Sequence, residues 1–173
     1  RHFLMASTAG AVSAGLAQGK IRTGILGVQH SHLIGKADAL RNNADYELVA
    51  ISEPDAETRR SREDHEALRG LPWVSMDELL DDSSLDLIVF EGEVKDAIPF
   101  GMKVIEAGKH LHLEKPPAYE LEPFQELVEL AKRNKRLLQL GYIWRFHDGC
   151  QLALDAMRKG WLGEVFMVRA TAN

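Results

Sequence analysis

Cysteine is nearly absent. Cys150 stands alone among 173 residues, so no internal disulfide can form, and the redox compartment stays open because many exported proteins also lack such bridges. That thiol is either packed or a nucleophile. No apolar run approaches the roughly 18 residues of a membrane-crossing helix. An excess of positive charge is missing too: the formal net charge is −5 and is spread along the chain. Neither nucleic acid nor an anionic membrane is therefore favoured as a partner, whereas small neutral or phosphorylated ligands remain open. Internal repeats and low-complexity linkers are lacking as well. What is present, 45% hydrophobic and 27% charged residues, suits one ordinary soluble core.

Residues 1–20 differ from the rest. Arg1-His2-Phe3-Leu4-Met5 is followed by a mild Ala/Gly/Ser-rich run, a basic start and apolar middle suited to an export signal. One further arginine upstream would complete a twin-arginine-like pattern. Such a leader exports folded proteins, which suits one loading its cofactor in the cytoplasm before reaching the periplasm. The alternatives are a plain N-terminal extension and a cytoplasmic protein.

From Ile21 onward strands and helices alternate. Ile21–Leu26 is β-prone and ends at Gly27, after which Leu33, Ile34, Ala37 and Leu40 recur at helical spacing. Tyr46–Ser52 predicts a second strand, followed by a charged helix over 55–69 that Gly70 ends. Trp73-Val74 predicts a short third strand, and Ser75-Met76-Asp77-Glu78 has the form of a capping box opening a brief helix. Leu85–Phe90 is apolar without alternation, as in a strand covered on both faces. A helix over 97–107 capped by Gly108, a strand at 110–113, a helix from Pro123 to Lys132 and a sixth strand at 136–141 complete the series. Short loops and right-handed crossovers then leave a Rossmann-type doubly wound parallel α/β sheet as the economical architecture.

In that fold the turn after the first strand meets a dinucleotide's pyrophosphate, which makes Gly27, Val28, Gln29 and His30 candidate cofactor contacts. The glycines are incomplete: Gln29 and His32 stand where G-x-G-x-x-G has its second and third. Gln29 could either place its amide on a phosphate or obstruct it. Glu53 ends the second strand, 26 residues after Gly27, where a carboxylate accepts hydrogen bonds from the adenosine ribose. That favours NAD, while Arg59, Arg60 and Arg62 on the next helix keep NADP open. His30-x-His32 and His110-x-His112 each bring two imidazoles together, but neither pair has a third ligand in sequence, so no metal site is assigned.

The run Ala107-Gly108-Lys109-His110-Leu111-His112-Leu113-Glu114-Lys115-Pro116, together with Leu85–Val89, Gly141–Phe146 and Gly160–Val165, resembles the Gfo/Idh/MocA family of NAD(P)-dependent oxidoreductases. The likeness extends from Ile21 to the last residue. It implies that Lys115 is the catalytic lysine, orienting a sugar or cyclitol hydroxyl for hydride transfer. Glu114, Lys115 and Pro116 would then border the cofactor, with Lys115-Pro116 a candidate cis peptide and Arg145 a further substrate contact. A lysine beside an alkoxide suits that chemistry, because its ammonium donates to developing negative charge.

Two departures accompany the likeness. The usual neutral cofactor loop after the fourth predicted strand reads Glu91-Gly92-Glu93-Val94-Lys95-Asp96, and only the threshold of a second, α+β substrate domain is present, with a helix over 148–159 and a strand over 165–171. Residues 21–146 are thus read as the dinucleotide-binding domain and 147–173 as the opening of the second, through which homo-oligomers could form. The expected function is NAD(P)-dependent oxidation of a sugar or cyclitol, incomplete in this chain alone. The rivals are an NAD-assisted glycosidase and a non-catalytic sugar-binding or assembly module.

Overall fold

The computed structural model describes residues 19–171; most of the leader-like segment lies outside the described residues. Five parallel strands form one sheet in the order β2-β1-β3-β4-β5: β1 Ile21–Leu26, β2 Tyr46–Ser52, β3 Leu87–Phe90, β4 His110–Leu113 and β5 Leu138–Leu140. Connecting helices are α1 Leu33–Asn42, α2 Ala56–Arg62, α3 Met76–Asp81, α4 Val94–Glu106 and α5 Leu121–Arg133, and α6 Asp148–Arg158 follows the sheet.

The parallel α/β expectation holds, but of the six expected strands the third, at Trp73-Val74, does not form. Trp73 makes a single parallel bridge to Ile51, flanked by Ile51 N donating to Pro72 O at 3.0 Å and Val74 N donating to Ile51 O at 2.9 Å. Pairing stops there because Pro72 has no N–H to extend it and Ser75 already caps α3 through the expected capping box. The bridge still keeps the doubly wound order, with the crevice between β1 and β3 where strand order reverses.

Alternation along the strands sorts the core into two layers. Leu26, Ile88, Phe90, Leu111 and Leu113 pack against α4 and α5 with Val104, Ile105 and Leu127, all buried. Ile25, Ile51 and Val89 pack against α1 and the 66–68 turn with Leu33, Ala37 and Leu68. The expected helix over 55–69 is shorter than predicted: α2 ends at Arg62 and a separate 3-10 turn covers Glu66–Leu68. The expected strand at 165–171 is likewise absent. Phe166 is 92% and Val168 82% exposed, and with no neighbouring strand among the described residues to share a ladder the segment is irregular. No helix among the described residues is long and apolar enough to cross a membrane.

Candidate cofactor site at the carboxyl edge of the sheet

Register fixes the site. Ile51, Ile25, Val89, His112 and Gln139 lie side by side across the sheet, all facing α1. Two residues further along each chain come Glu53, Gly27, Glu91, Glu114 and Gly141, which therefore form the next row on the same face, at the edge where open α/β sheets bind ligands. The backbone ladder carries into this row: Gly27 N donates to Ser52 O at 2.8 Å, Glu91 N to Leu26 O at 2.9 Å and Gly141 N to Leu113 O at 2.9 Å. Gly27–His30, Glu53 and Glu114–Pro116, the loop residues expected at the cofactor, thus fall on one edge.

At the outer end, Glu53 is held from two sides, with Oε2 accepting from Val28 N and Oε1 from Asp55 N, each at 2.9 Å. Each oxygen keeps a further lone pair for a ligand hydroxyl. Gln29 Nε2 donates to Thr58 Oγ1 at 3.3 Å, and its side chain lies along the wall of a cavity of about 500 Å³. Glu53, Thr58, Glu93, Lys95 and Phe100 line the same cavity. Gly27 has φ +82°, and a Cβ there would stand 2.5 Å from the backbone N and Cα of Gly92, so the turns after β1 and β3 touch backbone to backbone. Among the described residues, the N–H groups of Gln29 and Ser31 have no acceptor, leaving donors for an anion ahead of α1.

At the inner end, Lys115 borders a cavity of about 170 Å³ with His32, Gly141, Tyr142, Ile143 and Trp144. The Lys115–Pro116 peptide is cis, as the sequence suggested. Glu114 orients this turn by accepting from Lys115 N at 2.9 Å, while its other oxygen meets His32 Nδ1 at 3.2 Å. Arg145 is exposed on the 3-10 turn Ile143–Phe146 and is not among the side chains lining the cavity, although its neighbour Trp144 is. The structure thus brings Lys115, but not Arg145, to this end.

Between the two ends lies a cluster absent from the sequence reading. Lys36 on α1 donates to Glu91 Oε1 at 2.5 Å and also to Glu114 Oε1. Glu91 is fully buried, so of the three acids in the loop 91–96 only Glu93 and Asp96 border the outer cavity, and Glu93 pairs there with Lys95. Burial pushes the Glu91 carboxyl up, against the pull of Lys36. Burial acts in the same direction on Glu114 but is outweighed there by Lys36, the Lys115 N–H and His32, which hold it at about 2. Burial also lowers His30 and His112 from their ordinary values.

Glu114 is the third polar group that the His30-x-His32 pair lacked in sequence, with ligand atoms of all three inside 4.8 Å of one another. Its Oε1 is bonded to the Lys36 ammonium, which also bonds Glu91 Oε1 and so already occupies the space between the two carboxylates as their shared cation. A sign follows for stability. Because the folded-state value of Glu114 lies below its unfolded one, its contribution is complete above the ordinary glutamate range and is lost as pH falls toward about 2. Glu114→Gln is therefore expected to narrow the difference in urea midpoint between neutral pH and the acid side; an unchanged pH profile would show that Glu114 is not linked to folding.

A parallel sheet with reversed strand order, a glycine turn ahead of α1 and an acid at the end of β2 define a nucleotide-binding Rossmann domain. The family model described as an oxidoreductase family with an NAD-binding Rossmann fold, Gfo/Idh/MocA, matches residues 21–142. The chain belongs to that family. The inositol 2-dehydrogenase of Salmonella typhimurium strain LT2 is 24% identical over 153 residues, 86% of this chain and 44% of the relative. Two solved structures share the fold: scyllo-inositol dehydrogenase from Lactobacillus casei with bound NAD(H) and scyllo-inositol, with TM-score 0.71, 19% identity and coverage of 84% of this chain and 43% of that one; and biliverdin reductase from Synechocystis with biliverdin and NADP+, with TM-score 0.69, 24% identity and coverage of 84% and 45%. The chain thus spans less than half the length of these relatives.

Proposed function

We propose that this chain is the cofactor-binding half of an NAD-preferring dehydrogenase that passes hydride between the nicotinamide and a sugar or cyclitol hydroxyl. The observation that carries this reading is the single row of residues from Glu53 through Gly27 to Glu114 and Lys115, which offers a ribose acceptor, exposed backbone donors and an ammonium in the order an extended dinucleotide needs. The relatives named for inositol support a polyhydroxylated ring as substrate. In this role Lys115 donates to the substrate oxygen and lowers the cost of removing its proton, while the bound cofactor supplies the hydride acceptor. Residues 147–171, with α6 burying no side chain, open the half that carries the substrate.

Titrating NADH into the purified protein tests this by fluorescence. A saturable signal is expected, and none at millimolar cofactor would favour the non-catalytic reading.

NAD is preferred over NADP on electrostatic grounds. A 2′-phosphate would enter a cavity bordered by Glu53, Asp55, Glu93 and Asp96, with Lys95 paired to Glu93. Arg59, the arginine closest in sequence to Glu53, is engaged elsewhere, at 3.3 Å from Glu63 and 5.3 Å over the Trp73 ring. NAD+ is expected to bind about tenfold or more tightly than NADP+, and Glu53→Ser should shrink that ratio, since one like charge near a phosphate is worth about 1 kcal/mol or more at the surface. Equal affinities in the unsubstituted protein, measured by calorimetry, would contradict the assignment.

A further inference from the structure

Glu91 and Glu114 follow adjacent parallel strands at matching register and project to the same side, so their carboxylates are forced together at about the 4.8 Å strand spacing. Two buried acids so placed need a cation between them. Lys36 supplies it from α1, its ammonium bonded to both. The lysine itself is only 18% exposed and lies one turn after Leu33 in the otherwise apolar stripe Leu33, Ala37, Leu40, so its placement is built into the helix that follows the glycine turn. A second constraint lies opposite: a Cβ at Gly141 would stand 2.5 Å from Glu114 Oε1, so the end of β5 is shaped to leave room for that carboxylate.

Resting on the proposed function, and deepening it, we propose that Lys36 is a positioning residue for Lys115: it fixes the Glu114 carboxylate, which in turn holds the Lys115 N–H and with it the turn that presents the ammonium. The chain of contacts is short and complete. Lys36 Nζ holds Glu114 Oε1, and Glu114 Oε2 accepts from Lys115 N at 2.9 Å. The charged or titratable groups facing Glu114 are Lys36, His30 and His32 from α1 and its leading turn, Glu91 after β3, His112 on β4 and Lys115 itself. Of these, Lys36 alone is a full cation in direct bonding contact with the carboxylate, so its removal is the change that frees Glu114 to take up a proton and release the turn.

The test reads the Lys115 backbone amide by nitrogen–proton NMR across an acid-to-neutral pH series, in the full chain without cofactor. In the unsubstituted protein the resonance should show no step in the ordinary glutamate range, because Lys36, the Lys115 N–H and His32 hold Glu114 well below it. Lys36→Met should make the same resonance titrate, with a midpoint at or above the ordinary glutamate range. Should that variant not fold because Glu91 is left unpaired, Lys36→Met/Glu91→Leu removes both halves of the outer pair and keeps the question about Glu114 intact. Glu91→Gln, with Lys36 present, should leave the amide unmoved. A Lys115 amide that behaves alike in the unsubstituted protein and the folded Lys36 variants overturns the proposal. In the longest product of the gene, turnover by the Lys36 variants should gain an acid limb with that same midpoint. NAD+ added to the same NMR samples reads the parent proposal separately: a chain that binds no cofactor yet shows the Lys36-dependent titration loses the dehydrogenase reading and keeps the linkage, and the reverse result loses only the linkage.

Discussion

Gly27→Ala is expected to destabilise the domain by about 2–4 kcal/mol and to weaken NAD+ binding at least about tenfold. Two separate effects combine. The position has φ +82°, which an L side chain adopts only under strain, and the added methyl would stand 2.5 Å from the backbone of Gly92, where no flexible side chain can yield. The turns after β1 and β3 must then part, and the β1 turn is the one that offers Gln29 and Ser31 amides ahead of α1. Urea unfolding and calorimetry with NAD+ check the two halves. A stability change below about 0.5 kcal/mol would mean that the two loops are not in backbone contact.

Lys115→Met should lower kcat of the full-length enzyme about 10²- to 10⁴-fold while changing NAD+ affinity less than about threefold. The side chain keeps its length and apolar stem, so packing around the cavity with His32 and Trp144 is largely preserved, and what is lost is the ammonium that the proposed function sets beside the substrate oxygen. Steady-state kinetics with a cyclitol substrate separate the outcomes. Loss of cofactor affinity with turnover retained would make Lys115 a binding residue only.

Much of this was legible in the sequence because it depends on local signals. The alternation of strands and helices, the capping box at Ser75, the left-handed end at Gly108 and the Glu114-Lys115-Pro116 run are each set by neighbours in the chain, and the structure has them in place. One failure was decided by immediate neighbours and the other by a distant partner. Trp73-Val74 had strand character but met Pro72 on one side and a helix cap on the other. Residues 165–171 had β-prone composition but no strand to pair with.

Glu91 was misread for the same reason. As a loop acid it reads only as a departure from the neutral loop of the family, and the register of β3 against β4 is what places it beside Glu114 and under Lys36. The available clue was Lys36 itself, a charged residue at a position of α1 that the apolar spacing reserves for the core. Arg145, carried over from the family pattern, lies on the turn next to Trp144 but is not among the residues lining the Lys115 cavity.

The central claim is that one extended ligand lies along the row from Glu53 to Lys115, and amide chemical-shift mapping with NAD+ tests it most directly. Saturable shifts are expected at both ends together, at Val28–His30 and Glu53 and again at Lys115, with one common affinity. Shifts confined to one end, or none up to millimolar NAD+, would contradict it.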